Sequence, residues 1–485
     1  MSDIKDVIND ISVLQCFGFS PMSASTKPAH IANAWFRRIL GRYYDPVILN
    51  RTVKQWVKTE EINPSAILIS DYEKIFEPFA PQNKSGEFTD FRRDLRALLS
   101  PVGGAVNRGN ENSTYNITCA HHITSDRMDF GTGDFLYRLL NTDLGNGPSS
   151  SIELLRNILL EPTDEVSALT FPLVADAKAK EVGAGTYRAE TVFRTYRKDF
   201  VSPTLRTLRE GFDKLTVFER TYGGGLDALR RHVALGVFSI LLYMQNRHGE
   251  LTGNRTLTPM LLYFHERQRT TSYQASHATY NLNRRAIESL YTSQFKTWLE
   301  DRLETDPTSR QCKAFIKELE FGKNGAKSRE YLSKSYRSFA NQMDALDAMS
   351  EALRDAAFRA SSATPLDFYR GLGIRIGFVR PAGNRAVKKH YTLEGVLLEA
   401  VLASIIPEGK VPYQQFLDLL YDRYGLLTGG RPQDSQLLID NGVGNATVQD
   451  LRANSTSFRQ QLLSLGWAQQ YADGVLVVRA PEGLQ

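Results

Sequence analysis

The chain has 485 residues, 42% apolar and 23% charged, and its 59 Lys and Arg stand against 54 Asp and Glu for a net charge of +5. Those proportions exclude a disordered polyelectrolyte, a collagen-like repeat and a disulfide scaffold. At ~150 residues per domain the length predicts about three domains, each large enough for its own core.

The opening stretch, MSDIKDVINDISVL, mixes acids with apolar residues. It lacks the basic flank and unbroken apolar centre of a signal peptide. Cys16, Cys119 and Cys312 lie far apart, and an odd number of cysteines suits a reducing compartment. A cytoplasmic protein is the expectation. Residues 1–150 read as an irregular, mostly helical N-terminal domain. Helices are expected over Ile31–Leu40, where Ile31, Trp35 and Phe36 share a face, and over Asp71–Phe79 and Phe88–Leu99. Cys119, His121 and His122 offer three zinc-type ligands. Adjacent histidines point to opposite sides of an extended chain, and no second Cys/His pair lies nearby to complete a tetrahedron. No metal is assigned.

Asn141–Ser151 (NTDLGNGPSSS) is rich in turn formers and marks the expected end of this domain. From there to residue 365 the period is helical, as in a bundle. Leu154, Leu155, Ile158 and Leu159 form one stripe, and Leu205, Leu208, Phe212, Leu215 and Phe218 form another. The stretch His232–Met244 is apolar nearly all round. It runs for about 13 residues where a bilayer span needs about 20, so it reads as a core helix and no membrane is expected. Helices over Asn281–Leu303 and Ala340–Arg359 complete the bundle.

Three chemistries were weighed against this segment. Asp164, Asp176 and Lys178 have the superficial spacing of a metal-dependent nuclease, but the residues between them have a helical period and Glu161, Asp164 and Glu165 suit a helix N-terminus. Phe321–Ser328 (FGKNGAKS) approaches a phosphate-binding loop, yet Phe321 stands where its first glycine belongs and the preceding KAFIKELE is helical rather than a strand. His265–Arg269, with Arg284 and Arg285, is a second basic region that reads as a charged helix surface. No catalytic residue and no cofactor are assigned.

Phe368–Tyr391 carries Arg370, Arg375, Arg380, Arg385, Lys388 and Lys389 with no acid, more positive charge than the whole chain nets. Two β-like runs, IRIGFV and AVKKHY, flank the turn PAGN, so residues 366–391 read as a basic β-hairpin connector. Residues 392–485 then give helix, helix, loop, a third helix over Thr456–Leu465, and a hairpin turning at Ala472-Asp473-Gly474. That order resembles a winged helix-turn-helix domain. The fold class expected is mainly α, a helical body with a small α+β winged-helix C-terminal domain.

The resemblance implies a third helix that lies in a DNA groove. Here it offers only Arg459, with Arg452 just before it, and the hairpin's Gln469, Gln470 and Tyr471 are uncharged. Protein contact or dimerisation is an equal expectation for such a module. The whole layout, with TLREGFDKL and LDALRRHVALGVFSILLYMQNRH in the helical body, is similar to the non-catalytic subunits encoded beside DNA-translocating ATPases in bacterial antiphage defence operons, those of phosphorothioation-dependent restriction among them. It implies a subunit that contacts DNA or a partner ATPase, with Arg370, Arg375, Arg380, Arg385, Lys388, Lys389, Arg452 and Arg459 as DNA contacts. A pure protein scaffold without DNA binding, with or without self-association, is the alternative, and a divergent metal-dependent nuclease using Asp164, Asp176 and Lys178 ranks behind it.

Overall fold

The structure is a computed structural model that describes residues 3–45, 117–143, 145, 147–171, 174–175, 177–182, 202–253, 257–265, 270–303, 307–321, 325–361, 363–383, 388–444 and 446–481. The described residues are mostly helical, with four small sheets, which is the mainly α class expected. None of their helices is long and apolar enough to cross a membrane. The expected helices at Asp71–Phe79 and Phe88–Leu99 lie outside the described residues.

Two compact units are formed, and they do not follow the chain-order division expected from the turn-rich segment at 141–151. One contains Lys27–Thr186 and Phe212–Gly236; the other contains Met1–Thr26, Tyr187–Gly211 and Val237–Glu482. In the first, helix Pro28–Leu40 starts with proline, which needs no partner for its missing N–H, and ends on Gly41 at φ 67°. Trp35, Phe36 and Ile39 are fully buried, as are Phe135, Leu136 and Leu140 of helix Thr132–Asn141. The two helices approach closely because Gly133 has no side chain. A Cβ there would lie 2.5 Å from the Trp35 nitrogen and 2.6 Å from the Ala34 Cβ. The turn after Asn141 leads directly into helix Ser150–Leu160, whose N-cap Ser149 accepts from the Ser151 N–H. It therefore joins two helices of one unit. Strands Arg42–Asp45 and Lys178–Glu181 pair antiparallel.

The second unit is organised on helix Thr271–Glu300, which buries Tyr273, Tyr280, Ile287, Tyr291 and Phe295. The N-terminal segment packs here: Ser12 and Tyr291 hydroxyls lie 2.7 Å apart, and the Arg247 Nε donates to the Cys16 carbonyl at 2.9 Å. Strand Met260–Leu261 pairs in parallel with Leu426–Leu427. That ladder ties the C-terminal residues into the same unit.

Those residues run in the order helix Gly395–Ile405, strand Lys410–Pro412, helix Tyr413–Tyr424, helix Asp434–Asp440, helix Val448–Ser464 and hairpin strands Ala468–Gln470 and Leu476–Arg479. The three strands form an antiparallel sheet with Leu476–Arg479 in the centre. Phe416, Phe458, Leu462 and Val478 fill the space between helices and sheet.

Candidate interface: the basic segment and the C-terminal helix–hairpin

Residues 366–391 form a helix followed by a minimal ladder, and this corrects the expected hairpin. Pro365–Arg375 is helical, opened by a capping box in which Thr364 and Asp367 bond reciprocally. The expected strand IRIGFV is therefore split, and Arg370 and Arg375 stand on a helix. Among the described residues of the segment, Val379–Arg380 pairs antiparallel with His390–Tyr391, and the ladder extends no further. Gly377 makes the turn between helix and strand at φ 77°, a conformation that favours glycine.

Most of the positive charge in this segment is used within the chain. Arg370 donates to Asp367 at 2.7 Å, three residues back on its helix. Arg375 donates to the Thr26 and Ala24 carbonyls at 2.9 and 3.0 Å. Arg380 forks onto Glu394, with Nε at 2.7 Å. Lys389 is buried and donates to the Pro381 carbonyl at 2.6 Å; burial, then the nearby Arg370, pulls its pKa down. Lys388 is exposed, while its backbone carbonyl accepts from the Tyr273 hydroxyl at 3.1 Å. Arg385 lies outside the described residues.

The ladder is held against the long helix rather than in solvent. His277 Nδ1 is 2.8 Å from the Lys389 carbonyl, and the Tyr391 N–H donates to Ser276 at 3.0 Å. The Tyr391 hydroxyl is 2.7 Å from that of Tyr369 and accepts from Asn283 at 2.9 Å. Burial raises the pKa of Tyr391 and lowers that of His390 to about 4, so both are neutral near pH 7.

On helix Val448–Ser464 the inward face sets Asn454 and Ser455 among buried Leu451, Phe458 and Leu462. Asn454 is fully buried, donates to the Leu262 and Thr428 carbonyls at 2.8 and 2.9 Å, and accepts from the Phe264 N–H at 2.8 Å. Asp450 accepts from the Thr271 N–H and hydroxyl, and these bonds hold its pKa down. The opposite face exposes Gln449, Arg452, Thr456, Gln460 and Ser464 at helical spacing. Arg459 is turned toward the hairpin, donating to Gln470 at 2.7 Å. Hairpin residues Gln469 to Val475 are exposed, with Lys410 over the Tyr471 ring at 5.8 Å. Val448, Leu465, Tyr471 and Val475 are exposed apolar side chains of the same helix–hairpin element and its ends. The surface is close to neutral, unlike a phosphate-tracking groove.

Sequence reasoning missed three pieces of this module. Strand Lys410–Pro412 is short and bounded by Gly409 and Pro412, so its apolar signal is one residue, Val411. Helix Asp434–Asp440 falls where a loop was expected; its start is fixed by Asp434, which accepts from the Gly429 and Arg431 N–H groups. The inward pair Asp450 and Asn454 occupies i and i+4, a spacing that signals one face but not which way it points.

The other candidates do not converge. His121 lies between the rings of Tyr44, tilted to it, and Phe171, edge-on to it, with ring centroids 4.7 and 5.2 Å away. His122 is buried with Nδ1 3.7 Å from the Cys119 sulfur, and burial lowers its pKa to about 3. Asp164 caps helix Glu165–Thr170, accepting from the Ser167 N–H at 2.8 Å, and Lys178 begins an exposed strand; Asp176 lies outside the described residues. Among the described residues no group of three His, Cys, Asp or Glu side chains is placed to hold a metal ion. Phe321 is buried ahead of helix Gly325–Phe339, and residues 266–269 and 322–324 lie outside the described residues. Arg284 is half-buried and Arg285 exposed on helix Thr271–Glu300.

No protein-family model, curated protein or solved structure matches the chain.

Proposed function

We propose that this chain is an accessory subunit that docks a partner protein through its C-terminal helix–hairpin module, in the manner of a winged helix used for protein contact. One observation carries the reading. The outward face of helix Val448–Ser464 and the hairpin is nearly neutral and exposes Val448, Leu465, Tyr471 and Val475, while Arg459 is spent on Gln470. Exposed apolar and tyrosine side chains ringed by Gln and Thr are the composition of a protein interface, whose centre is depleted in charge. The order helix, strand, helix, helix, hairpin, with the last strand central, supports the winged-helix description. The resemblance of the sequence layout to accessory subunits of defence operons motivates the class of partner proposed, a motor ATPase.

DNA contact is the second reading, and Arg452 favours it. It is exposed in the middle of the stripe Gln449, Arg452, Thr456 and Gln460, side chains able to bond base edges and phosphates. Among the described residues Lys388 and Arg375 are also exposed cations of the expected set, although Arg375 is held by the Thr26 and Ala24 carbonyls.

Pull-down of the full chain with the products of neighbouring genes tests the docking reading. Complex formation is expected to resist high salt and to weaken by about tenfold or more when Tyr471 and Val475 are both changed to Ser, the loss typical of interface anchors. A complex that ignores that change but dissolves on Arg452→Ala in the presence of duplex DNA would favour the second reading.

A further inference from the structure

A second basic feature lies apart from the candidate interface. Helices Ser309–Glu318 and Gly325–Phe339 pack against each other, with the Ser309 and Tyr336 hydroxyls 3.1 Å apart. Between them is a recess of about 230 Å³. Lys313 and Lys317 line it from the first helix and Arg329 and Arg337 from the second, with Ile316 and Tyr336 as its apolar wall. Among the described residues no carboxylate lines it.

The spacing explains how the cations meet. Lys313 and Lys317 are one helical turn apart, and Arg329, Ser333 and Arg337 occupy i, i+4 and i+8. Like charges at i and i+4 destabilise a helix, so Lys313 and Lys317 form an unfavourable pair on the first helix, while Arg329 and Arg337 stand two turns apart on the second with Ser333 between them. Among the described residues none of the four cations forms an ion pair. Arg329 donates through Nη2 to the Leu319 carbonyl at 2.8 Å. Its Nε is buried and has no hydrogen-bond partner. A buried guanidinium N–H without an acceptor is costly, which leaves Arg329 under-satisfied beside the recess.

We propose that this recess binds a compact polyphosphate, two or three linked phosphate groups, free or as the tail of a nucleotide. Two arginines give planar forks suited to paired phosphate oxygens, and two lysines give mobile point charges. A single water needs only about 10–15 Å³ of such space, so the recess has room for several linked groups. Its concavity favours a small ligand over the convex backbone of a duplex.

The test uses the full chain and inorganic tripolyphosphate, titrated calorimetrically at low salt, with orthophosphate, ATP and a short DNA duplex as separate arms. Tripolyphosphate is expected to bind at least about tenfold more tightly than orthophosphate, because it engages more of the four cations at once. The double variant Lys317→Gln with Arg337→Gln should lose about tenfold or more of that affinity while its circular dichroism is unchanged. Lys334→Gln, on the same helix but outside the recess, should bind as the parent does. ATP binding like tripolyphosphate would place a nucleotide tail in the recess; ATP failing to bind would leave free polyphosphate as the ligand, and both support the site. Three results overturn it: tripolyphosphate no tighter than orthophosphate, equal losses in the double variant and in Lys334→Gln, or duplex DNA that displaces tripolyphosphate from the parent chain and loses its own binding in the double variant.

Discussion

Asn454 carries the packing of the C-terminal module onto the 257–265 segment. Three backbone groups, the Leu262 and Thr428 carbonyls and the Phe264 N–H, find their partners in this one buried amide. Asn454→Leu keeps the branching at Cγ but leaves those three groups without a partner. We expect a loss of about 3 kcal/mol in denaturant unfolding, the scale of one or more buried polar groups left unpaired. Asn454→Asp, which keeps one acceptor and loses both donors, should be nearly as costly. A loss under about 0.5 kcal/mol in both variants, the range of an ordinary surface change, would show that the module does not depend on this amide. The sequence places Asn454 on a helix and no further. An asparagine in a helix reads as a solvated polar residue, and its burial becomes visible only when residues about 190 positions earlier are brought beside it.

At the scale of elements, helix periodicity was legible and helix pairing was not. The stripe Ile31, Trp35 and Phe36 predicts the helix found over Pro28–Leu40, and the apolar run His232–Met244 lies inside helix Gly225–Leu251. The basic segment misled because its charge reads as solvent exposure, whereas Asp367, Glu394 and three backbone carbonyls within one unit take up Arg370, Arg375 and Arg380. Those partners lie as far as 351 positions away. Gly133 gives an element-scale prediction. Any side chain there meets the backbone of helix Pro28–Leu40, which cannot move aside. Gly133→Ala should lower thermal stability by about 1–3 kcal/mol despite alanine's higher helix propensity, because overpacking outweighs it. Stabilisation on making that change would mean the two helices separate readily.

Across the whole molecule, buried histidines set the response to acid. His122 and His390 have folded-state pKa values lowered to about 3 and about 4 by burial. Their ordinary value is 6.5, so between these limits the unfolded chain binds more protons than the folded one. Stability should therefore fall as pH drops from about 6.5 toward 4. Asp129 acts in the opposite sense. Burial raises its pKa to about 6 against the N–H bonds from Gly131 and Gly133, so its contribution is fully present below about pH 4 and is lost as pH rises through 6. Burial lowers the pKa of His121, His232 and His248 as well, so five histidines stand against this one aspartate and the net expectation is a lower melting temperature at pH 4.5 than at pH 7. His122→Asn with His390→Asn should flatten that slope, whatever the double variant does to stability at pH 7. An unchanged slope would place the acid response elsewhere.

The packing of residues 3–26 into a unit whose other parts come from beyond residue 187 bears on how the chain is made. Phe17 meets Tyr243 and Tyr291, and the carbonyls of Ala24 and Thr26 are held by Arg375. At about 5–20 residues per second, a ribosome takes about 20–70 s to travel from residue 26 to Arg375. Until Tyr243 and Tyr291 are made, Phe17 has only its neighbour Phe19 among these aromatic partners, and the carbonyls of Ala24 and Thr26 wait longer for Arg375. Residues 3–26 are thus made well before the residues that cover them, which makes them the natural client of a holding chaperone.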